Sequence, residues 1–430
     1  MTNPDQMLEQ AAAAAERKEY WNAIALYTDI LAQTDPHSQD TEVGQIRLTS
    51  LRERGVLFGA LGEQEAALAS YEQYYLEAGT SRHAVDALIL IGNQQTYMAH
   101  LDKAMEAHRE GLQLAEALNY TAGRANSLGG AGLVNYHLGR FEEAVSNFKK
   151  SLALLEQLGD RAEQARCWNR MGMSHARLGE LDKAINDFKE SSQLFLKIST
   201  RDLNALQTGI NALNNLGECY QSLFDMNQAL IYHQEGLKLV EAMNLPSLES
   251  DLGRNLGVDL YSLGRVEEGI AYLERSLKIS RETNTPDIEL QALYSLATAE
   301  IQRGNLEKGC TYAQELKVLA ETHQTRGYQA DSLHALGLYY RENEEVEEAQ
   351  QLWQQALFLA HETGRRMLLW RIHAGLSSIA PNKALADVHN RIASEIILQI
   401  LDPIQDETLC QTFLNAPPVR AIFNQLEEAA

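Results

Sequence analysis

Few residues in this chain of 430 are typed and spaced for chemistry. The acid pairs Glu142-Glu143, Glu267-Glu268 and Glu347-Glu348 could act as general acids or bases. They recur at the starts of predicted helices, where negative charge favours the N-terminal end of the helix dipole. The run Gly129-Gly130-Ala131-Gly132 could cradle a phosphate, but it follows no strand and lies inside a predicted helix. Close helix packing is its reading. No HExxH, GxxxxGK[ST] or GxSxG occurs, which removes the zincin site, the P-loop and the nucleophile elbow. Cys167, Cys219, Cys310 and Cys410 form neither a CxxC nor a zinc-ligand spacing, and read as reduced, mostly buried thiols. Of the 12 histidines, His108 and His233 fall on apolar helix faces and read as residues at the core edge, not ligands. No catalytic residue, metal site or cofactor site is expected.

The elements that carry these residues belong to a soluble folded chain. Hydrophobic residues make up 45% and charged residues 22%, with 28 Gly and 8 Pro. Lys+Arg is 37 against Asp+Glu 59, a net charge of −22, which repels phosphate backbones and anionic membranes. Met1–Gln10 has neither the basic start nor the apolar core of a signal peptide. No stretch approaches the roughly 18 apolar residues of a membrane span. The expectation is a cytoplasmic protein with no nucleic-acid or membrane partner.

Self-comparison reveals the organisation. A small residue recurs at Ala23, Ala67, Ala104, Ala144, Ala184, Ala229, Gly269, Gly309 and Ala349. Most steps are of 40 residues. Four positions on stand Tyr27, Tyr71, His108, Phe148, Phe188, His233, Leu273, Ala313 and Trp353. Twelve positions before stand Ala11, Gly55, Gly92, Gly132, Gly172, Gly217, Gly257, Ala297 and Gly337. Apolar positions at i, i+3, i+4 and i+7 make one helix face, and small residues on it let a neighbour approach. Leu61-Gly62, Leu138-Gly139, Leu178-Gly179 and Leu263-Gly264 supply left-handed caps where the chain doubles back. Each unit is thus a helical hairpin. Pro36, Pro246 and Pro286 fall in the predicted turns between units.

This pattern resembles the tetratricopeptide repeat (TPR), with "AGLVNYHLGRFEEAVSNFKKSL" (131–152) and "MGMSHARLGELDKAINDFKESS" (171–192) as its best copies. The 40-residue unit is similar to the repeats of kinesin light chains, Leu-Gly-Asn adaptor proteins and the TPR arms of bacterial signalling ATPases and transcription regulators. The resemblance implies an all-α fold, a right-handed α-α superhelix of nine to ten hairpins. Residues 1–380 are expected to hold the nine repeats, and 381–430 a degenerate last hairpin and a C-terminal helical cap. Arg365–Ala380 and Asn382–Leu401 read as that hairpin. Residues 401–426 read as two short helices broken by Pro403 and Pro417-Pro418, either a cap or a docking element.

The resemblance also implies a concave face lined by the first helix of each hairpin. Mapped here, its residues are Asn126, Tyr136 and His137; Arg166, Asn169, Met173 and Arg177; Asn211, Asn214, Glu218 and Gln221; and Asp251, Arg254 and Tyr261. Asparagine is a poor mid-helix residue, so four of them in three successive helices need a reason. One reading is a peptide clamp: amides match backbone C=O and N–H, and arginines hold carboxylates. The other is a solvated lining, or bonding between neighbouring repeats. The functional expectation is a non-enzymatic scaffold or adaptor that binds a peptide or protein segment. The alternative is a sensor or regulatory subunit of a bacterial signalling or defence complex, acting on an ATPase, protease or transcription regulator in trans.

Overall fold

The computed structural model describes residues 3–38, 40–195, 197, 203–243 and 245–427. Among them there are 22 helices and no strand. The hairpins run α1 (Pro4–Glu16) and α2 (Tyr20–Gln33), α3 (Thr41–Ala60) and α4 (Gln64–Ala78), α5 (Arg82–Tyr97) and α6 (Leu101–Ala117). Then come α7 (Thr121–His137) and α8 (Phe141–Leu158), α9 (Arg161–Leu178) and α10 (Leu181–Phe195), α11 (Leu203–Ser222) and α12 (Met226–Met243). The later ones are α13 (Pro246–Ser262) and α14 (Val266–Glu282), α15 (Pro286–Gln302) and α16 (Leu306–Thr322), α17 (Arg326–Glu342) and α18 (Val346–Glu362). The chain ends with α19 (Arg366–Ser378), α20 (Lys383–Leu401), α21 (Glu407–Asn415) and α22 (Pro417–Glu427). It divides into two compact units, Met1–Ser174 and His175–Ala430.

The repeat anchors are packing positions. Ala23, Ala67, Ala104, Ala144, Ala184, Ala229 and Ala349 are fully buried. Their glycine partners meet the ring sixteen residues on. A Cβ on Gly132 would lie 2.7 Å from Phe148 Cε1, closer than real side chains come. A glycine under a ring thus sets the helix separation at Gly55, Gly92, Gly132, Gly217 and Gly337, while Gly257 meets the Leu273 side chain instead. Between α7 and α8, Gly139 takes φ 74° while Arg140 N–H donates to the Asn135 carbonyl at 2.9 Å, closing a Schellman cap. The acid pairs sit in the first turns of α8, α14 and α18, as their charge favours.

Three expectations are corrected. Pro246 and Pro286 are not in turns but open α13 and α15, where a missing N–H is free and φ is already helical. Pro36 does lie in a turn. His108 and His233 are fully buried, not at the core edge, because each fills the ring slot against a glycine. Only Cys167 and Cys219 are buried; Cys310 and Cys410 are partly exposed, and all four are free thiols.

In the second unit the last residues fold back. Gln405 donates its backbone N–H to Asp182 Oδ2 at 3.0 Å, at the start of α10. Phe413 of α21 is fully buried against Phe224, and Trp370 of α19 meets the other side of that contact with ring centroids 6.3 Å from Phe224. Asn390 of α20 donates to Gln425 of α22 at 2.7 Å.

Candidate functional site

In the first unit the odd-numbered helices α5, α7 and α9 enclose a cleft of about 380 Å³. Asn93 reaches it from α5, Asn126 and Leu133 from α7, and Glu163, Arg166 and Arg170 from α9. Two of the sequence-predicted residues, Asn126 and Arg166, are therefore brought together. Arg166 pairs with Glu163 at 3.0 Å one helical turn away, yet its Nε is buried without a partner. Burial pulls the Arg170 guanidinium below its ordinary range, and Glu163 partly restores it. Glu163 is its strongest attractive partner. Guanidinium groups stay charged in proteins, so the cleft holds two cations against one carboxylate.

Glycine leaves this cleft open. Gly130 rests on the His108 ring, where a Cβ would come 2.1 Å from Cε1, so packing demands it. Gly129 is different: a Cβ there would meet only Ser151 Oγ, at 3.4 Å, an ordinary contact. Glycine in a helix interior costs about 1 kcal/mol relative to alanine, and here no neighbour repays it. The bare backbone at Gly129 is one wall of the cleft. Beneath the cleft, burial and the Arg170 charge pull His108 down to about 4. Neither ring nitrogen of His108 has a partner.

Asn169 and Tyr136 lie outside the cleft lining. Asn169 is 8% exposed and points its amide toward Met173 Sδ at 3.9 Å. Tyr136 is half-buried, edge-on to His137 and Phe141.

In the second unit most of the predicted residues bond to the next repeat. Asn214 donates to Asp251 Oδ2 at 3.0 Å and accepts from Asn255 at 2.9 Å. Gln221 donates to Asp259 Oδ1 at 2.7 Å and to the Asn255 carbonyl. Asp259 Oδ2 lies 2.6 Å from His233 Nδ1, with both side chains fully buried. Arg254 sits between Glu218 and Asp251, at 3.3 and 3.2 Å. Tyr261 donates to the Ala299 carbonyl at 3.1 Å. Asn211 is half-buried, and Arg177 is exposed. The amides of α11 thus form a polar seam with α13, the bonding between repeats that the sequence left open as a reading. Asn255, Asp259, Asn93 and Arg170 were not singled out from sequence. Arg170 had a signal: with Arg166 it makes a like-charge pair at i, i+4, which an isolated helix disfavours.

Among the described residues no three His, Cys, Asp or Glu side chains gather where they could hold a metal ion. No helix among them is long and apolar enough to cross a membrane.

Sequence models of the tetratricopeptide repeat match residues 123–197, and residues 254–287 and 329–359. No curated protein matches the sequence. Among solved structures, the apo form of RapI is similar at a TM-score of 0.66 and 13% identity, over 83% of this chain and 98% of that one. The Rap conjugation gene regulator of plasmid pLS20, in complex with the Phr* peptide, gives 0.55 and 13%, over 78% and 95%. The signal transduction ATPase PH0952 of Pyrococcus horikoshii, which has a tetratricopeptide repeat sensor, gives 0.55 and 15%, over 90% of this chain and 54% of that one. At these identities the likeness is one of fold. The chain carries tetratricopeptide repeats and folds as the α-α solenoid that such repeats build.

Proposed function

We propose that the chain is a non-catalytic, cytoplasmic interaction protein that holds a peptide or protein segment against the faces of its odd-numbered helices. The observation that carries this reading is the cleft between α5, α7 and α9, whose Asn93, Asn126, Arg166 and Arg170 offer amide and guanidinium groups to an incoming chain. Four free thiols fit a reducing compartment. The similarity to a Rap regulator solved with a peptide supports the same reading. Further proposed binding residues are Tyr136 and Asn169 in the first unit and, taken by itself, the second unit's set of Arg177, Asn211, Asn214, Gln221, Arg254 and Tyr261; several of these also bond between repeats.

A second reading rests on the similarity to the repeat sensor of PH0952. The chain would then be the sensor or regulatory subunit of a bacterial signalling or defence complex, passing its state to an ATPase, protease or transcription regulator in trans.

The test is affinity capture from the source cell with the intact chain and with Asn126→Ala/Asn211→Ala, read by mass spectrometry, followed by calorimetry on the captured protein. Capture by the intact chain and at least tenfold weaker binding by the double variant support the reading. Equal affinities place the partner elsewhere on the molecule. A captured ATPase, protease or regulator whose activity responds to the chain favours the second reading.

A further inference from the structure

The even-numbered helices turn one face to solvent, and α18 differs from the rest there. Positions five, six and nine after the small residue of each repeat lie on that face. In eight of the nine repeats at least one of the three is charged, as Glu274, Arg275 and Lys278 all are in α14. The exception is α18, where the three are Gln354, Gln355 and Phe358, all exposed. Phe358 is 66% exposed, and Val318, at the matching position of α16, is 64% exposed. Beside Phe358 opens a hollow of about 510 Å³, lined by Leu333 of α17 with Gln351, Gln354, Gln355 and Leu359 of α18, so its lining carries no charge. In a chain of net charge −22, an uncharged face with an exposed ring marks a place where another surface can approach.

The order of residues along α18 says what that surface is. At about 100° per residue, Glu347, Gln350, Gln351, Gln354, Phe358 and His361 fall on one side of the helix. Gln354 stands midway: Glu347 and His361 are each seven residues from it, and Gln350 and Phe358 are each four. Turned end for end about Gln354, the stripe therefore matches itself. Glu347 meets His361, whose imidazole N–H can donate to a carboxylate. Phe358 meets the aliphatic stem of Gln350 and the hollow. Gln354 meets its own copy, and each amide supplies both a donor and an acceptor. The N-terminal end of one helix then lies beside the C-terminal end of the other, which the two dipoles favour. Glu362, next to His361, is already paired with Arg326 and brings no free charge to the contact.

We infer that the outer face of α18 is a self-association surface, on which a second copy of this chain packs its own α18 antiparallel about a two-fold axis at Gln354. Such a contact is isologous, so one patch supplies both halves. It lies outside the proposed binding cleft and does not depend on that reading. A single helix face is small for an interface, so association in the micromolar range is expected.

The experiment is sedimentation velocity on the full chain, loaded at roughly 1–100 µM. The wild type should pass from monomer to dimer across that range. Phe358→Ser should weaken self-association at least tenfold by removing the ring. Gln354→Glu and Gln354→Lys should each be monomeric, because the new charge faces its twin across the axis, and an equimolar mixture of the two should dimerise again. Both positions are exposed, so no variant should move the melting temperature by more than about 1–2 °C. A wild type that stays monomeric throughout overturns the inference, and a different protein captured by the intact chain and lost with Phe358→Ser would then be the occupant. A dimer unmoved by Phe358→Ser, or by either charge, places the contact elsewhere and overturns it as well. A dimer lost with each charge but not recovered in the mixture overturns the two-fold pairing at Gln354.

Discussion

Phe413 meets Phe224 edge-on, with ring centroids 5.4 Å apart, and Phe413 is fully buried by the contact. Phe224 takes φ 60° in the turn between α11 and α12, where matching turns use Gly139, Gly264 and Gly304 but also Lys18, Ala99 and Glu344. A left-handed backbone costs a non-glycine residue roughly 1–2 kcal/mol. The ring repays this by packing between Trp370 and Phe413 beneath the Arg371 guanidinium, 5.9 Å above it. The C-terminal helices are therefore part of the second unit's core.

Phe413→Ala should destabilise that unit by about 3–5 kcal/mol, as expected for an aromatic deleted from a filled site. Limited proteolysis should then cut between Leu401 and Glu407, where the wild type resists. A variant as resistant as wild type would mean that Gln405 and Asp182 hold the segment without the ring.

Ala184→Leu should cost roughly 1–3 kcal/mol by overpacking, since Ala184 has no exposed surface. Denaturant unfolding measures it. An unchanged midpoint would contradict the role of the small residue as the hairpin's contact point.

Asn126 and Asn214 should separate binding from stability. Asn126 is exposed on the cleft, so Asn126→Ala should leave the melting temperature within about 1–2 °C. Asn214 is 8% exposed and bonded to Asp251 and Asn255. Asn214→Ala strands both groups and should cost about 1–3 kcal/mol. Equal melting temperatures for the two variants would show that the α11–α13 seam contributes nothing.

The hairpins were legible in the sequence because a single steric contact repeats: Gly132 under Phe148 recurs as Gly337 under Trp353, where a Cβ would lie 2.2 Å from Nε1. Binding chemistry is less regular. Spacing near 40 brought Asn214 close to Asp251 and Asn255, but residue type could not say whether the amide faced solvent or its neighbour. Arg170 was missed because it stands one residue beyond the asparagine column at Asn169, and the helix turns it into the cleft. Phe224 had no local explanation either; its partner Phe413 comes from the far end of the unit. The glycine run 129–132 was read as packing, which holds for Gly130 and Gly132 and fails for Gly129.

His108 should make the protein sensitive to mild acid. In the unfolded chain a histidine takes its proton near pH 6.5. In the fold, burial and the Arg170 charge lower His108 to about 4. Between those values the unfolded chain binds a proton and the folded one does not, so stability falls as the pH drops from about 6.5 toward 4. The slope from one such group is at most about 1.4 kcal/mol per pH unit. His334, lowered to about 3, and His373, lowered to about 4, add slopes of the same sign. His108→Phe isolates the first contribution. Its ring fills the slot between Gly92 and Gly130 as Phe148 fills the one at Gly132, and it has no stranded nitrogens. The variant should therefore be more stable than wild type, by a margin that widens from pH 8 to pH 5. Melting curves at both pH values measure it. A margin independent of pH would mean that His108 takes up its proton in the fold as readily as in the unfolded chain, and that burial against Gly92 and Gly130 does not exclude the charge.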